Sequence, residues 1–89
     1  MIKMTFTLYI SGDSLNSRQA VENVHRFGND QLQGNYELVV IDLDRNPEEA
    51  FHRKIMATPL LIRESPEPVR KVIGSLSQVN EVMQALFIL

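Results

Sequence analysis

The stretch Leu60-Leu61-Ile62-Arg63-Glu64-Ser65-Pro66-Glu67-Pro68-Val69-Arg70-Lys71-Val72-Ile73-Gly74 decides the fold. Leu60-Leu61-Ile62 is a short apolar strand and Val69-Arg70-Lys71-Val72-Ile73 is its partner, closed by Gly74. Only six residues separate Ile62 from Val69. Among them Pro66 and Pro68 fix the backbone at two positions of a turn, so the two runs should form an antiparallel hairpin. Arg63, Arg70 and Lys71 make a basic cluster on that hairpin. Two readings stand: a patch for docking a partner, or charges that prevent edge-to-edge pairing.

Upstream, Thr58-Pro59 should end a short helix. Asn46-Pro47-Glu48-Glu49 opens it with a capping asparagine, proline at the first helical position and acids at the positive end of the dipole. Ala50, Phe51 and Ile55 should share one face. Further upstream, Tyr36-Glu37-Leu38-Val39-Val40-Ile41-Asp42 is a nearly continuous β-branched run. It reads as a strand covered on both faces. Ala20, Val21, Val24 and Phe27 form a helical stripe from Asn16 to about Gln31, with Asn16 or Ser17 as the cap and Gly28 and Gly34 marking its end. Met4-Thr5-Phe6-Thr7-Leu8-Tyr9-Ile10 alternates as a strand. Downstream, Ser75 or Ser77 should cap a last helix striped by Val79, Val82, Met83 and Leu86.

The order is therefore β-α-β-α-β-β-α. A parallel pair joined by a right-handed crossover and followed by a hairpin is a thioredoxin-like α/β fold. In a thioredoxin topology a proline at the position of Pro59 is usually cis, so a cis bond is expected if that fold is adopted; a trans proline that merely ends the second helix is the alternative. The end, Met83-Gln84-Ala85-Leu86-Phe87-Ile88-Leu89, suits a helix and also suits a strand. Its apolar side chains should fold onto the core or meet another subunit.

At 89 residues the chain has room for one domain, residues 1–89. Hydrophobic residues at 44% and charged residues at 22% exclude disorder over the whole length. Nine basic and eleven acidic residues give a net charge of -2, which argues against nucleic acid or an anionic membrane as partner. The longest apolar run, Ala85 to Leu89, has five residues, where a membrane span needs about 20. The amino end has no signal-peptide pattern, so a cytoplasmic location and a free-standing protein are expected.

The chemistry expected of this fold is missing. There is no cysteine, so thiol–disulfide exchange is excluded. Ser11, Ser14 and Ser17 occupy the loop where the fold places its active site, but a serine nucleophile needs a base. The only histidines, His25 and His52, read as surface or boundary residues on helices. Asp42 and Asp44 at a strand end read as turn acids ahead of a capped helix rather than metal ligands. Gly12 stands alone, without a phosphate-binding glycine pattern. No catalytic residue, metal or cofactor is expected.

An ordered set of short motifs runs through the chain: Leu8-Tyr9-Ile10 with Gly12 and Asn16-Ser17; Gly34 with Tyr36; Val40-Ile41-Asp42; Asn46-Pro47; Lys54-Ile55 with Ala57-Thr58-Pro59. Pro66, Pro68-Val69-Arg70, Ile73-Gly74 and Leu76-Ser77 complete it. Taken together the chain resembles the KaiB family of circadian-clock proteins over nearly its whole length. The resemblance implies a non-enzymatic regulator that binds the KaiC ATPase or a related histidine kinase, in circadian or stress-response signalling. It also implies a second state, with a rearranged C-terminal half and residues 83–89 as a strand, that assembles into dimers and tetramers. The positions on which that rearrangement would turn are Pro59, Pro66, Pro68, Ala85 and Phe87.

The implied docking surface comprises the second strand with Glu37 and Val39, the first helix, and the hairpin charges Arg63, Arg70 and Lys71. Several positions depart from the clock members' usual residues. Val39 stands in place of lysine, Leu15 of proline, Ala85 of glycine and Phe87 of an acid. Alanine for glycine favours helix by about 1 kcal/mol. Losing a cation at Val39 removes charge steering. A relative that has left clock function, and a small ligand-binding protein on a thioredoxin scaffold, remain as alternative readings.

Overall fold

Alternation along the first strand builds the sheet. In a computed structural model describing residues 3–86, β1 (Met4–Ile10) points Phe6 and Leu8 to one side and Thr7 and Tyr9 to the other. It pairs in parallel with β2 (Tyr36–Asp42), where Phe6 lies opposite Leu38 and Leu8 opposite Val40. On its other edge it runs antiparallel to β3 (Leu60–Ser65), which pairs antiparallel with β4 (Arg70–Ile73). The strand order is β2-β1-β3-β4. The three helices are α1 (Leu15–Gln31), α2 (Pro47–Arg53) and α3 (Val79–Leu86). The thioredoxin-like order expected from periodicity is the order observed, and residues 79–86 are helical rather than extended.

Each face of the sheet carries its own apolar cluster. Phe6, Leu8 and Leu61 pack with Ala20, Val24 and Phe27 of α1 and with Leu76, Val82 and Leu86 in and before α3. Phe6 and Phe27 meet edge to face, with centroids 6.0 Å apart. On the opposite face Tyr9, Leu60 and Ile62 pack with Ile41, Leu43 and Ile55. That second cluster is small because α2 has seven residues and buries none of them fully.

Several local expectations need correction. β2 is not covered on both faces: it is an edge strand, with Val39 57% exposed and Val40 also exposed. The cap of α1 is Ser14, not Asn16 or Ser17; its hydroxyl accepts the Ser17 N–H at 3.2 Å. Asn46 precedes α2 but its side chain does not cap it; Nδ2 donates to the Asp42 carbonyl at 3.1 Å instead. Helix α2 stops at Arg53, before Thr58-Pro59, because Lys54 adopts a left-handed backbone with φ 54°. The reversal parts Ile55 from Phe51: Ile55 is half-buried, whereas Phe51 is 89% exposed. The last strand begins at Arg70 rather than Val69. Neither Ser75 nor Ser77 adjoins α3, whose first turn closes on the Gln78 carbonyl.

The bond before Pro59 is cis, as expected, and so are those before Pro66 and Pro68. Pro59 is buried, Pro66 half-buried and Pro68 exposed in the turn. Ala85 lies on the exposed side of α3. Phe87 and the strand considered for residues 87–89 lie outside the described residues.

Gly28 does not end α1; it lies inside it. Glycine there lowers helix propensity by about 1 kcal/mol relative to alanine. The reason for it is Tyr36 at the start of β2. A methyl group on Gly28 would lie 2.6 Å from Cζ and 2.8 Å from Cδ1 of that ring. The ring packs against Phe6, with centroids 6.4 Å apart, and its hydroxyl is hydrogen-bonded to His25 Nδ1 at 2.7 Å. Gly28→Ala is therefore expected to destabilise the protein by about 1–2 kcal/mol despite the better helix former. Urea unfolding monitored by circular dichroism reads this, and a stability gain would contradict the packing argument.

Candidate docking surface

The parity of each strand decides where the singled-out residues point. Thr7 lies opposite Val39 on one side and Ile62 on the other, and Ile62 lies opposite Lys71. Val39, Thr7, Ile62 and Lys71 thus form one row across the sheet, on the face that carries α2. Glu37 lies on the same face, opposite Thr5, and pairs with Lys3 at 3.2 Å. Val39 and Lys71 occupy the two outer strands, about 14 Å apart at three strand spacings.

Arg63 and Arg70 do not belong to this group. Arg63 lies opposite Phe6 and opposite Arg70, on the face of α1 and α3. Arg63 is only 4% exposed. It is not the surface cation that the hairpin position suggested, because its parity follows Leu61 into the core. Burial lowers its pKa, and the neighbouring Arg70 charge acts in the same direction. The basic cluster of the hairpin is therefore split, with Lys71 alone of the three on the α2 face.

The middle of the Val39–Lys71 row is roofed by a polar network that the sequence reading did not find. Arg53, the last residue of α2, holds Glu64 through two bonds, Nη1 to Oε2 at 2.9 Å and Nη2 to Oε1 at 3.1 Å. Thr7 donates to the same Glu64 Oε2 at 2.7 Å. Arg53 also lies over the Tyr9 ring, 5.8 Å from its centroid. Glu64 reaches this position through a bulge: Phe6 pairs with Arg63 but Thr5 with Ser65, which leaves Glu64 as the extra residue. The hydrogen bond from Arg53 holds the Glu64 carboxyl below its usual value, and that from Thr7 acts likewise. Burial pushes the Tyr9 hydroxyl up, against the pull of Arg53. Arg53 and Glu64 are eleven positions apart on different elements, so no local spacing rule signals the pair.

The loop before α1 uses its hydroxyls for structure. Ser14 caps the helix and donates to Ser17 Oγ at 2.8 Å, and buried Ser17 Oγ accepts the Ser11 N–H at 3.3 Å. Ser11 Oγ donates to Asp44 Oδ1 at 3.0 Å. Asp42 Oδ1 accepts the N–H groups of Gly12 and Asp44, both at 2.9 Å. The Gly12 N–H chiefly, then that of Asp44, holds the Asp42 carboxyl below its usual value. His25 lies about 12 Å along α1 from Ser17 and is engaged with Tyr36. His52 is exposed on α2. Among the described residues no cluster of three His, Asp or Glu side chains is placed to hold a metal, and no helix is long and apolar enough to cross a membrane.

Fold and loop together define a chain of thioredoxin-like fold without a thiol, in which the loop ahead of α1 carries the helix cap. The KaiB domain family model matches residues 7–88. Circadian clock protein KaiB3 of Synechocystis sp. is 36% identical over 86 residues, covering 97% of this chain and 84% of the relative. The circadian clock oscillator protein KaiB of Microcystis aeruginosa is 40% identical, covering 100% of this chain and 88% of the relative. The chain belongs to the KaiB family. Its fold is shared with the N-terminal domain of Synechococcus elongatus SasA, at TM-score 0.75 and 18% identity over 94% of this chain and 83% of that one. Chloroplastic thioredoxin z is similar too, at TM-score 0.73 and 16% identity over 92% and 76%.

The Arg53–Glu64 pair ties α2 to the sheet. Its folded-state carboxyl sits below the usual 4.5. Its stabilisation is therefore present at neutral pH and is lost as pH falls from that value through the folded one. Glu64→Gln is expected to cost about 1–2 kcal/mol at pH 7, between an exposed pair and a buried one. The gap to the parent protein should narrow below pH 4. Urea unfolding at pH 7 and pH 3.5 tests both statements; a gap independent of pH would refute the assignment.

Proposed function

We propose that this protein is a non-enzymatic regulator that acts by docking on a KaiC-like ATPase or a related signalling kinase. The observation that carries the reading is the edge strand β2, whose Val39 and Val40 stay exposed on a chain of the KaiB family. Soluble proteins protect the edges of their sheets with charge or cover, and an exposed β-branched edge marks a contact surface. Glu37 and Lys71 share the sheet face of Val39 and supply charge on it. The absence of any thiol and the use of the loop serines in a helix cap favour contact over catalysis. Two KaiB relatives are named as circadian clock proteins, which supports a role in timing or allied signalling.

The resemblance places a cation at the position of Val39 in clock members. An apolar residue there favours a partner surface with a complementary apolar patch rather than an acidic one. A relative that has left the clock and serves another ATPase is the second reading, and Val39 is what favours it.

The test is complex formation with the KaiC-like ATPase of the same genome, read by size-exclusion chromatography and biolayer interferometry. The parent protein should co-elute with it. Val39→Asp should weaken binding about tenfold or more, the scale of a central apolar contact. Val39→Lys should weaken binding to a partner adapted to valine, and should speed association, in a salt-dependent way, with a clock-type KaiC. Failure to bind any such ATPase would overturn the partner assignment.

A further inference from the structure

The β3–β4 hairpin buries a cation where an apolar residue would be ordinary. Arg63 Nη1 donates to the backbone carbonyl of Leu86 in the last described turn of α3. Nη2 donates to the backbone carbonyl of Pro68 at 2.7 Å, in the turn between β3 and β4. The guanidinium is planar and its donors form a rigid fork, so the two carbonyls are held at a set separation. The cost of this arrangement is high. The group is desolvated, and Arg70 is its cross-strand neighbour on the same face. A buried charge persists under those conditions only where its partners offset them, and these two carbonyls are among its partners.

We infer that Arg63 is a clamp coupling α3 to the turn of the β3–β4 hairpin, so that the docking of the helix and the conformation of the turn depend on one another. Among the described residues α3 has few other anchors. Val82 and Leu86 are its buried side chains, helped by Leu76 in the preceding loop. A helix of eight residues does not persist in water without tertiary contacts. The turn contains Pro66 and Pro68, and the carbonyl that Arg63 holds belongs to the second of them. A ligand or partner touching the turn is thereby felt at α3, and an event at α3 is felt at the turn, because coupling between two sites is reciprocal. Arg63 is a positioning residue in this device; it touches no ligand itself.

Amide hydrogen exchange on the full chain tests the clamp. In Arg63→Met, amides of residues 82–86 and 69–73 should lose protection together by tenfold or more, while those of β1, α1 and β2 keep theirs. Arg63→Lys retains the charge but has no fork, and should show the same paired loss to a smaller degree. Pro68→Ala should lower protection in α3, and that effect should shrink in the Arg63→Lys background, as a double-mutant cycle requires of coupled sites. Loss confined to one of the two segments, uniform loss over the whole chain, or unchanged protection would overturn the proposal. So would an additive double mutant. Should Arg63→Met fail to fold, Arg63→Lys and Pro68→Ala carry the same readouts, and failure of all three to fold would mark a general core role and overturn the clamp.

Discussion

Everything on the sheet takes its side from the alternation along β1. Phe6 and Leu8 face α1 and α3, whereas Thr7 and Tyr9 face α2. Because β1 is hydrogen-bonded on both edges, that parity passes through the register to β2, β3 and β4. A slip of one residue would exchange the two faces, sending Arg63 out and Ile62 in among the wrong neighbours. Among the described residues the bulge at Glu64 is the one place where the parity is broken within the paired region, and there the extra residue becomes an acceptor for Arg53 and Thr7.

The two faces are stabilised by different means. The α1 and α3 face is an apolar cluster closed by Phe6, Phe27, Leu61 and Leu86, with a single buried guanidinium at its rim. The α2 face is covered less by apolar contact than by the Arg53–Glu64–Thr7 network over Tyr9. This difference leaves Val39 and Lys71 uncovered on either side of the network. A short α2 is what makes a broad, partly open sheet face possible.

Element order was legible in the sequence because periodicity is a local signal. Two-residue alternation in β1, the three-and-four spacing of Ala20, Val24 and Phe27, and the prolines between two apolar runs each declare themselves within a few positions. What was not legible depends on sheet order. The apolar content of β2 fits a central strand as well as an exposed edge, and only the order β2-β1-β3-β4 separates them. Arg63, Arg70 and Lys71 look like one basic patch until parity divides them between two faces. The Arg53–Glu64 pair and the reach of Arg63 to Leu86 join distant elements, so neither has a spacing to recognise. Ser14 does not stand out as the cap for a smaller reason: several hydroxyl and amide residues surround the start of α1, and which one caps it is decided by its backbone angle.

The same chemistry explains how a thioredoxin-like frame serves without a thiol. In this chain the loop ahead of α1 is closed on itself: Ser11, Ser14 and Ser17 bond one another or Asp44, and Asp42 accepts the loop backbone. These hydroxyls and carboxylates hold the geometry of the loop and the start of α1. Residues that remain open to other molecules lie elsewhere, on the β2 edge and in the exposed Phe51 and Met56 around the left-handed turn at Lys54. Val39, Val40, Phe51 and Met56 there are apolar, with Glu37 as a charged neighbour on β2. Exposed apolar side chains favour contact with a second molecule, because burying them against it removes them from water.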